Sequence, residues 1–128
     1  MNYKLKYYLI TDPKYYTNDK VLFEQNLIKV LENKKVDIAC FRDKESKNYE
    51  ELAKIFIKVC KDFQIKEILL NTDYKLALKL KATGVHLNSR QFENIKDAKK
   101  LKLNTIISCH TYEKKKKAID YNCDAITF

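Results

Sequence analysis

The sequence predicts an α/β protein organised around a mainly parallel sheet. Three observations carry that prediction. Short apolar runs alternate with stretches of helical periodicity along the whole chain, starting near residues 5, 36, 67, 84, 105 and 124. The spacing between runs leaves room for one crossover helix each time, which is the repeat of a right-handed parallel sheet. Polar residues gather directly after the apolar runs, where such folds place their chemistry.

The first run, Lys4 to Ile10 (KLKYYLI), is strand-like and stops at Thr11-Asp12-Pro13. Asp19 is placed to cap a helix carrying Phe23, Leu27, Val30 and Leu31 on one face. Val36 to Phe41 (VDIACF) forms the second strand and ends in Arg42-Asp43-Lys44. Asn48 is placed to cap a longer helix. Its stripe of Leu52, Ile55, Phe56, Val59, Cys60 and Phe63 is the cleanest helical periodicity in the chain.

Ile68 to Leu70 is the third strand, stopping at the polar triplet Asn71-Thr72-Asp73. Leu76, Ala77 and Leu80 recur at helical spacing, and Gly84 then opens the fourth strand, Val85 to Leu87. His86 lies inside that strand and reads as a satisfied core or pore residue. Phe92, Ile95, Ala98 and Leu101 form the buried face of the next helix. Thr105 to Cys109 (TIISC) is the fifth strand and leads into His110-Thr111. Thr111 is placed to cap a helix running through Ala118 and Ile119 to Tyr121, and Asp124 to Phe128 (DAITF) is the sixth strand.

Composition narrows the function classes. At 128 residues and 45% apolar content the chain suits one domain with a real core. The apolar runs fall far short of a membrane span, and MNYKLKYYLITD lacks the apolar stretch and cleavage site of an export signal. The expectation is a soluble, cytoplasmic protein without a membrane partner. Cys40, Cys60, Cys109 and Cys123 form no C-x-x-C pair and read as buried reduced thiols. The net charge of +9 invites a nucleic-acid reading. However, of 26 basic residues only Arg42 and Arg90 are arginine, and lysine is spread over nearly every segment, so no nucleic-acid partner is expected. Lys114 to Lys117 is the densest basic run. At the start of a helix its side chains point around the axis, which suits a solvated surface; a phosphate-bearing ligand or an acidic partner is the alternative. With one glycine and one proline, the chain has no G-x-G-x-x-G or Walker loop, which argues against nucleotide-cofactor or nucleoside-triphosphatase chemistry.

The strand ends carry Asp12, Arg42 with Lys44, Asn71 with Asp73, Asn88, and Ser108 with His110 and Thr111. Together they suit anion recognition. Arg42 offers a planar fork of donors to a phosphate and Lys44 a point charge. The Asn71 amide offers a donor and an acceptor to the polar edge of a heterocycle. Ser108, His110 and Thr111 can hold a phosphate or move a proton.

At these residues the sequence resembles the thiamine phosphate synthase family and its TenI-type thiazole tautomerase relatives. YLITDPKYY resembles the family's first strand, and CFRDK its Gln-x-Arg-x-Lys strand end. LLNTDYKLALKLKATGVHLN is similar to the segment where a strand ends in Asn-Asp and Gly-Val-His-Leu begins the next strand. ISCHT resembles a Ser-x-His-Thr strand end, and NCDAITF a Gly-Ala-Asp strand. Five pieces in order and spacing cover the whole chain.

The resemblance implies a (β/α)₈ barrel, of which residues 1–128 would be the N-terminal part, an incomplete barrel of about six parallel strands and five helices. It implies thiamine biosynthesis: a pyrimidine diphosphate loses pyrophosphate with Mg²⁺ help, and a thiazole phosphate captures the cation. Arg42, Lys44, Asn71 and Ser108 occupy substrate positions, and His110 matches the histidine that transfers a proton in the tautomerases. The implied partners are small phosphorylated pyrimidine and thiazole metabolites.

Three departures accompany the resemblance. Cys40 stands at the family's glutamine. The two Mg²⁺-binding aspartates fall on Thr72 and Gln91, which supply no charge, so no metal ligand is assigned and no cofactor is expected. Asp73 could substitute only by a local shift. Phe128 falls within the sixth strand, whereas the family continues with two further βα units: either the chain is a fragment of a longer product, or it comes from a truncated gene, or the open edges at strands one and six pair with another chain in self-association. Two alternatives to the synthase stand beside it: a metal-independent TenI-type tautomerase, and an inactive truncated remnant that binds a phosphorylated metabolite.

Overall fold

A computed structural model describes residues 5–13 and 17–127. The chain divides into two compact units, Met1–Ile68 and Leu69–Phe128. In the first lie β1 (Tyr8–Ile10), α1 (Lys20–Asn33), β2 (Ile38–Phe41) and α2 (Tyr49–Asp62). β1 and β2 are parallel, with Tyr8, Leu9 and Ile10 opposite Ile38, Ala39 and Cys40. β1 is shorter than the sequence predicts. Lys4 lies outside the described residues, and Leu5 to Tyr7 are not in the strand. Instead the Tyr7 carbonyl accepts from both Asp37 N and Ile38 N, at 2.9 and 3.1 Å, and Tyr7 N donates to Asp37 Oδ2.

Asp19 caps α1 as expected, its Oδ1 accepting from Leu22 N at 3.0 Å, and the helix buries Phe23, Leu27 and Leu31. Asn48 stands at the start of α2 without capping it: its Nδ2 donates to Asn18 O at 3.0 Å. Glu50 and Glu51 in the first turn and Lys61 in the last complement the helix dipole instead. The helix stops at Asp62, so Phe63, the last member of the predicted stripe, sits at the C-cap and is 37% exposed. The centre of this unit is aromatic. The Phe41 ring lies 5.6 Å from Phe23, 5.6 Å from Phe56 and 4.9 Å from Tyr49, centroid to centroid.

The second unit is entered through β3 (Glu67–Asn71) and continues with α3 (Tyr74–Lys79), β4 (Gly84–Leu87), α4 (Asn94–Lys100), β5 (Asn104–Ser108), α5 (Tyr112–Asp120) and β6 (Ala125–Thr127). Its strands pair in parallel and in chain order. The side chains alternate as in any strand. Leu70, Val85, Leu87 and Ile107 are wholly buried on one face. The opposite face carries Asn71 beside His86, His86 beside Ile106, and Ser108 beside Thr127. Thr111 caps α5 through Lys114 N, as its sequence position predicts, and Asp73, read in the sequence only as part of a polar triplet, caps α3 through Leu76 N. Phe92 is buried ahead of α4 rather than within it, and Leu101 is at its C-cap, 36% exposed.

The single glycine is required by a close approach. A Cβ at Gly84 would lie 2.4 Å from Asn104 O and 2.7 Å from Leu69 Cδ2. Elsewhere the chain forgoes glycine. Gln64, Lys81, Lys102 and Asn122 each follow a helix C-cap with φ near +60° (59, 62, 61 and 62°). In each case the next amide closes back on the helix, as in Ala82 N to Ala77 O and Leu103 N to Ala98 O. These are Schellman ends built with ordinary residues where glycine is the usual choice. All four cysteines are free thiols; Cys40, Cys60 and Cys109 are buried and Cys123 is half-buried. Among the described residues no helix is long and apolar enough to cross a membrane.

Candidate functional site

In the first unit the loop after β2 sets the geometry. Asp43 is buried, and its Oδ1 accepts from Glu45 N at 2.9 Å and Ser46 N at 2.8 Å. The carboxylate is therefore used to turn the backbone rather than to pair with its neighbours. Thr11, at the end of β1, holds the other side: its Oγ1 accepts from Arg42 N at 2.9 Å. The side chains of Arg42 and Lys44 line a cleft of about 220 Å³ with Asp12, Pro13 and Glu45. Both are exposed, and among the described residues neither forms a salt bridge. The cleft thus pairs two cations, without salt bridges among the described residues, with two carboxylates: it offers N–H donors to an anion but no net positive charge.

Cys40, at the position of the family's glutamine, is almost completely buried one residue before Phe41. Burial pushes its thiol up to about 12, against a lowering contribution from the Tyr8 hydrogen bond and the Arg42 charge. It is a neutral packing group at neutral pH, not a nucleophile.

In the second unit Ser108 sits in a side-chain network that sequence alone does not assemble. His86 Nε2 and Ser108 Oγ are 2.8 Å apart, and Thr127 Oγ1 donates to Ser108 Oγ at 3.1 Å. His86 is 7% exposed. The Nε2–H tautomer of His86 leaves the Ser108 hydrogen free for a ligand; the Nδ1–H tautomer makes Ser108 the donor to Nε2. His86 reads as a satisfied core or pore residue in the sequence, and the structure shows it buried and hydrogen-bonded, with Ser108, a candidate substrate residue, as its partner. The signal that would have linked them is strand register, which places His86 opposite Ile106, two residues before Ser108.

Asn71 ends β3 opposite His86, half-buried, with no side-chain hydrogen bond among the described residues. His110 lies in the bend after β5 and is exposed. It too has no hydrogen bond among the described residues, so its ring is oriented by nothing described here. Asn88 is used within its loop, where Oδ1 accepts from Arg90 N at 2.9 Å.

Thr72 and Gln91, the two positions matching metal-binding aspartates, meet each other. Gln91 Nε2 donates to Thr72 O at 3.1 Å, and Gln91 Oε1 accepts from Asn88 N. Thr72 itself is left-handed, with φ +67°, and its amide donates to His86 O at 2.8 Å. A β-branched residue in that region is strained by about 1–3 kcal/mol, and the two flanking hydrogen bonds hold it there. Asp73 does not shift into the vacancy, because its Oδ1 accepts from Leu76 N at 2.9 Å to cap α3. Among the described residues no group of three His, Cys, Asp or Glu side chains could hold a metal. An amide and a hydroxyl do not make the anionic oxygen set that Mg²⁺ prefers, so these residues do not fit that ion.

Comparison with known proteins gives one family. The family model of thiamine monophosphate synthase, shared with TenI, matches residues 7–128. A thiamine-phosphate synthase of Pelagibacter ubique (strain HTCC1062) is 36% identical over 110 residues, 83% of this chain and 53% of that protein. The solved thiamine phosphate pyrophosphorylase from Pyrococcus furiosus superposes on 95% of this chain and 58% of its own with a TM-score of 0.78. At 21% identity that match shows the fold, the strand–helix repeat of the thiamine phosphate synthase barrel. The chain spans about half the length of the curated relative it matches.

Proposed function

This chain belongs to the thiamine monophosphate synthase family, and from that premise we propose that it is a cytoplasmic thiamine-biosynthesis protein acting on phosphorylated pyrimidine and thiazole metabolites. The observation that carries the reading is the cleft after β2, where Arg42 and Lys44 stand without salt bridges among the described residues. In the synthase reaction the C–O bond of a pyrimidine diphosphate breaks, pyrophosphate leaves with the electron pair, and the thiazole nitrogen captures the carbon. Arg42 and Lys44 would stabilise the charge growing on the departing diphosphate. Asn71 would hydrogen-bond the pyrimidine, and the Ser108 hydroxyl, fixed between His86 and Thr127, would hold a phosphate oxygen. His110 would move the proton in the tautomerase reading, where one is taken from one carbon of the thiazole carboxylate and returned to another.

The test is release of pyrophosphate by the purified protein from the pyrimidine diphosphate and thiazole phosphate together. Turnover that disappears when either substrate is omitted supports the synthase. The pairing of Gln91 with Thr72 favours a second reading, a TenI-type tautomerase that moves a proton on a thiazole carboxylate phosphate without metal. Isomerisation of that compound in the presence of a chelator, with no pyrophosphate release, selects it. Binding of either substrate without turnover leaves a non-catalytic remnant. Self-association through strand edges is part of the same proposal; a sedimenting species of one chain throughout the assay range rejects it.

A further inference from the structure

Two features of the sequence take no part in the proposed reaction: Arg90, the second of only two arginines, and the lysine run at 114–117. They converge. The loop after β4 and the first turns of α5 enclose a groove of about 380 Å³, lined by Ser89, Arg90, Phe92, Asn94, Lys114 and Lys117 among others. We propose that this groove is a second anion site that takes the phosphate or diphosphate group of a small metabolite.

Charge is the first argument. Three cations reach the groove, against one acid in its lining, Glu93. Among the described residues none of the three forms a salt bridge, with Glu93 or with any other carboxylate. Elsewhere lysines do find acids: Lys20 pairs with Glu51, Lys54 with Glu50, and Lys99 with Asp124. What sets the groove apart is that three cations converge on one cavity.

Placement is the second argument. Lys114 and Lys117 are three residues apart on α5 and share a face, so half of the run points at the groove and half does not. The Lys117 ammonium stands 5.2 Å from the Phe92 ring centroid and 5.8 Å from that of Tyr121. Aromatic faces hold it without neutralising it and without using its N–H donors on a carboxylate. Across from it, Arg90 is carried on a loop fixed by Asn88 and Gln91: Arg90 N donates to Asn88 Oδ1, and Gln91 Nε2 donates to Thr72 O. Ser89 adds a neutral donor, while the Asn94 amide already donates to Asp97 Oδ2 at 3.3 Å. A volume of this size suits a small phosphorylated molecule. A nucleic-acid backbone would need a basic track continuing beyond it.

The experiment is a titration of the ¹⁵N-labelled chain with inorganic pyrophosphate, followed by backbone amide shifts. Saturable shifts over Ser89 to Asn94 and Lys114 to Lys117 are the expected result. The R90Q/K117Q variant should weaken that set about tenfold, while K58Q/K61Q on α2, which removes the same charge, leaves it unchanged. R42Q/K44Q reports separately on the proposed reaction cleft: it removes shifts around Arg42 and leaves the groove's shifts intact. Shifts confined to the Arg42 loop, an equal loss in K58Q/K61Q, or tighter saturation by a single-stranded oligonucleotide than by pyrophosphate would each overturn the assignment. The four substituted residues other than Arg42 and Lys44 lie outside the proposed catalytic set, and melting curves report whether each variant is folded.

Discussion

The strand ends of the two units present opposite materials. After β2 the chain presents charge and little restraint: Arg42 and Lys44 are exposed cations on a loop whose one buried acid, Asp43, is occupied with backbone amides. After β5 it presents restraint and no charge: Ser108 is held at 2.8 Å by a buried histidine and at 3.1 Å by a threonine. Exposed charge attracts an anion over distance but sets its orientation weakly. A hydroxyl fixed by two partners attracts nothing from afar but places one oxygen within tenths of an ångström.

The largest effect should come from removing the charge. R42Q/K44Q is expected to weaken binding of the pyrimidine diphosphate about 100-fold, or about 2.7 kcal/mol, and to flatten its dependence on ionic strength. An unchanged dissociation constant by calorimetry would show that capture does not lie at this cleft. The melting temperature should hardly move, since neither side chain has a described partner to lose.

His86→Ala is the contrasting case. It takes away a buried partner of Ser108 and leaves a void, so stability should fall by about 1–3 kcal/mol in urea unfolding. In an active preparation kcat should fall about tenfold while the ionic-strength dependence of binding stays as it was. A variant in which that salt dependence collapses as in R42Q/K44Q would remove the distinction between the regions. His86→Gln, which keeps a hydrogen-bonding group in reach, should recover part of kcat.

Strain sharpens the comparison further. Thr72 is left-handed beside the neutral network, whereas the left-handed Gln64, Lys81, Lys102 and Asn122 merely end helices. Thr72→Gly removes the β-branch from a backbone that disfavours it and should stabilise the fold by about 1 kcal/mol, read as a higher urea midpoint. A lower midpoint would mean that the threonine side chain contributes more than its conformation costs.

These contrasts explain what sequence reading could and could not reach. Strand and helix order was legible because the apolar runs and the Leu52-to-Cys60 stripe have the periods their elements require. Asp19 and Thr111 were legible as caps because a cap is decided within three residues. Asn48 looked the same but donates to Asn18, thirty residues away, and local pattern carries no information at that distance. Phe63 and Leu101 continued an apolar period past the point where a left-handed residue, Gln64 or Lys102, turns the chain out of the helix. The strand-end residues could be named singly. That Ser108 rests on His86 and Thr127, and that Arg90 and Lys117 line one groove, depends on register between strands and on loop course, and neither is written in the spacing of either segment.

The smallest expected effect concerns how β6 is kept in place, since Thr127 reaches Ser108 only if the strand is in register. Asp124 fixes it from the other end. Its Oδ2 accepts from Thr105 N at 2.8 Å and from Thr105 Oγ1 at 3.0 Å, and its Oδ1 accepts from Lys99 Nζ at 3.2 Å. Partial burial pushes the Asp124 carboxyl up, but the Thr105 and Lys99 bonds outweigh it, and the balance is downward. A carboxyl with a lowered folded pKa contributes stability above its unfolded value, and that contribution is lost as the pH falls through the folded value. The side chain is 45% exposed, so solvent screens much of the charge and the contribution is modest. D124N should therefore melt a few degrees below the parent at neutral pH, for a loss of about 1 kcal/mol. The gap should narrow on acidification below about pH 4, where the parent's carboxylate is protonated in the unfolded chain and then in the folded one. A gap that stays constant down to about pH 2 would assign the loss to packing rather than to ionisation. Amide exchange at Thr127 in the same variant would show whether the register of β6, and with it the restraint on Ser108, depends on that single carboxylate.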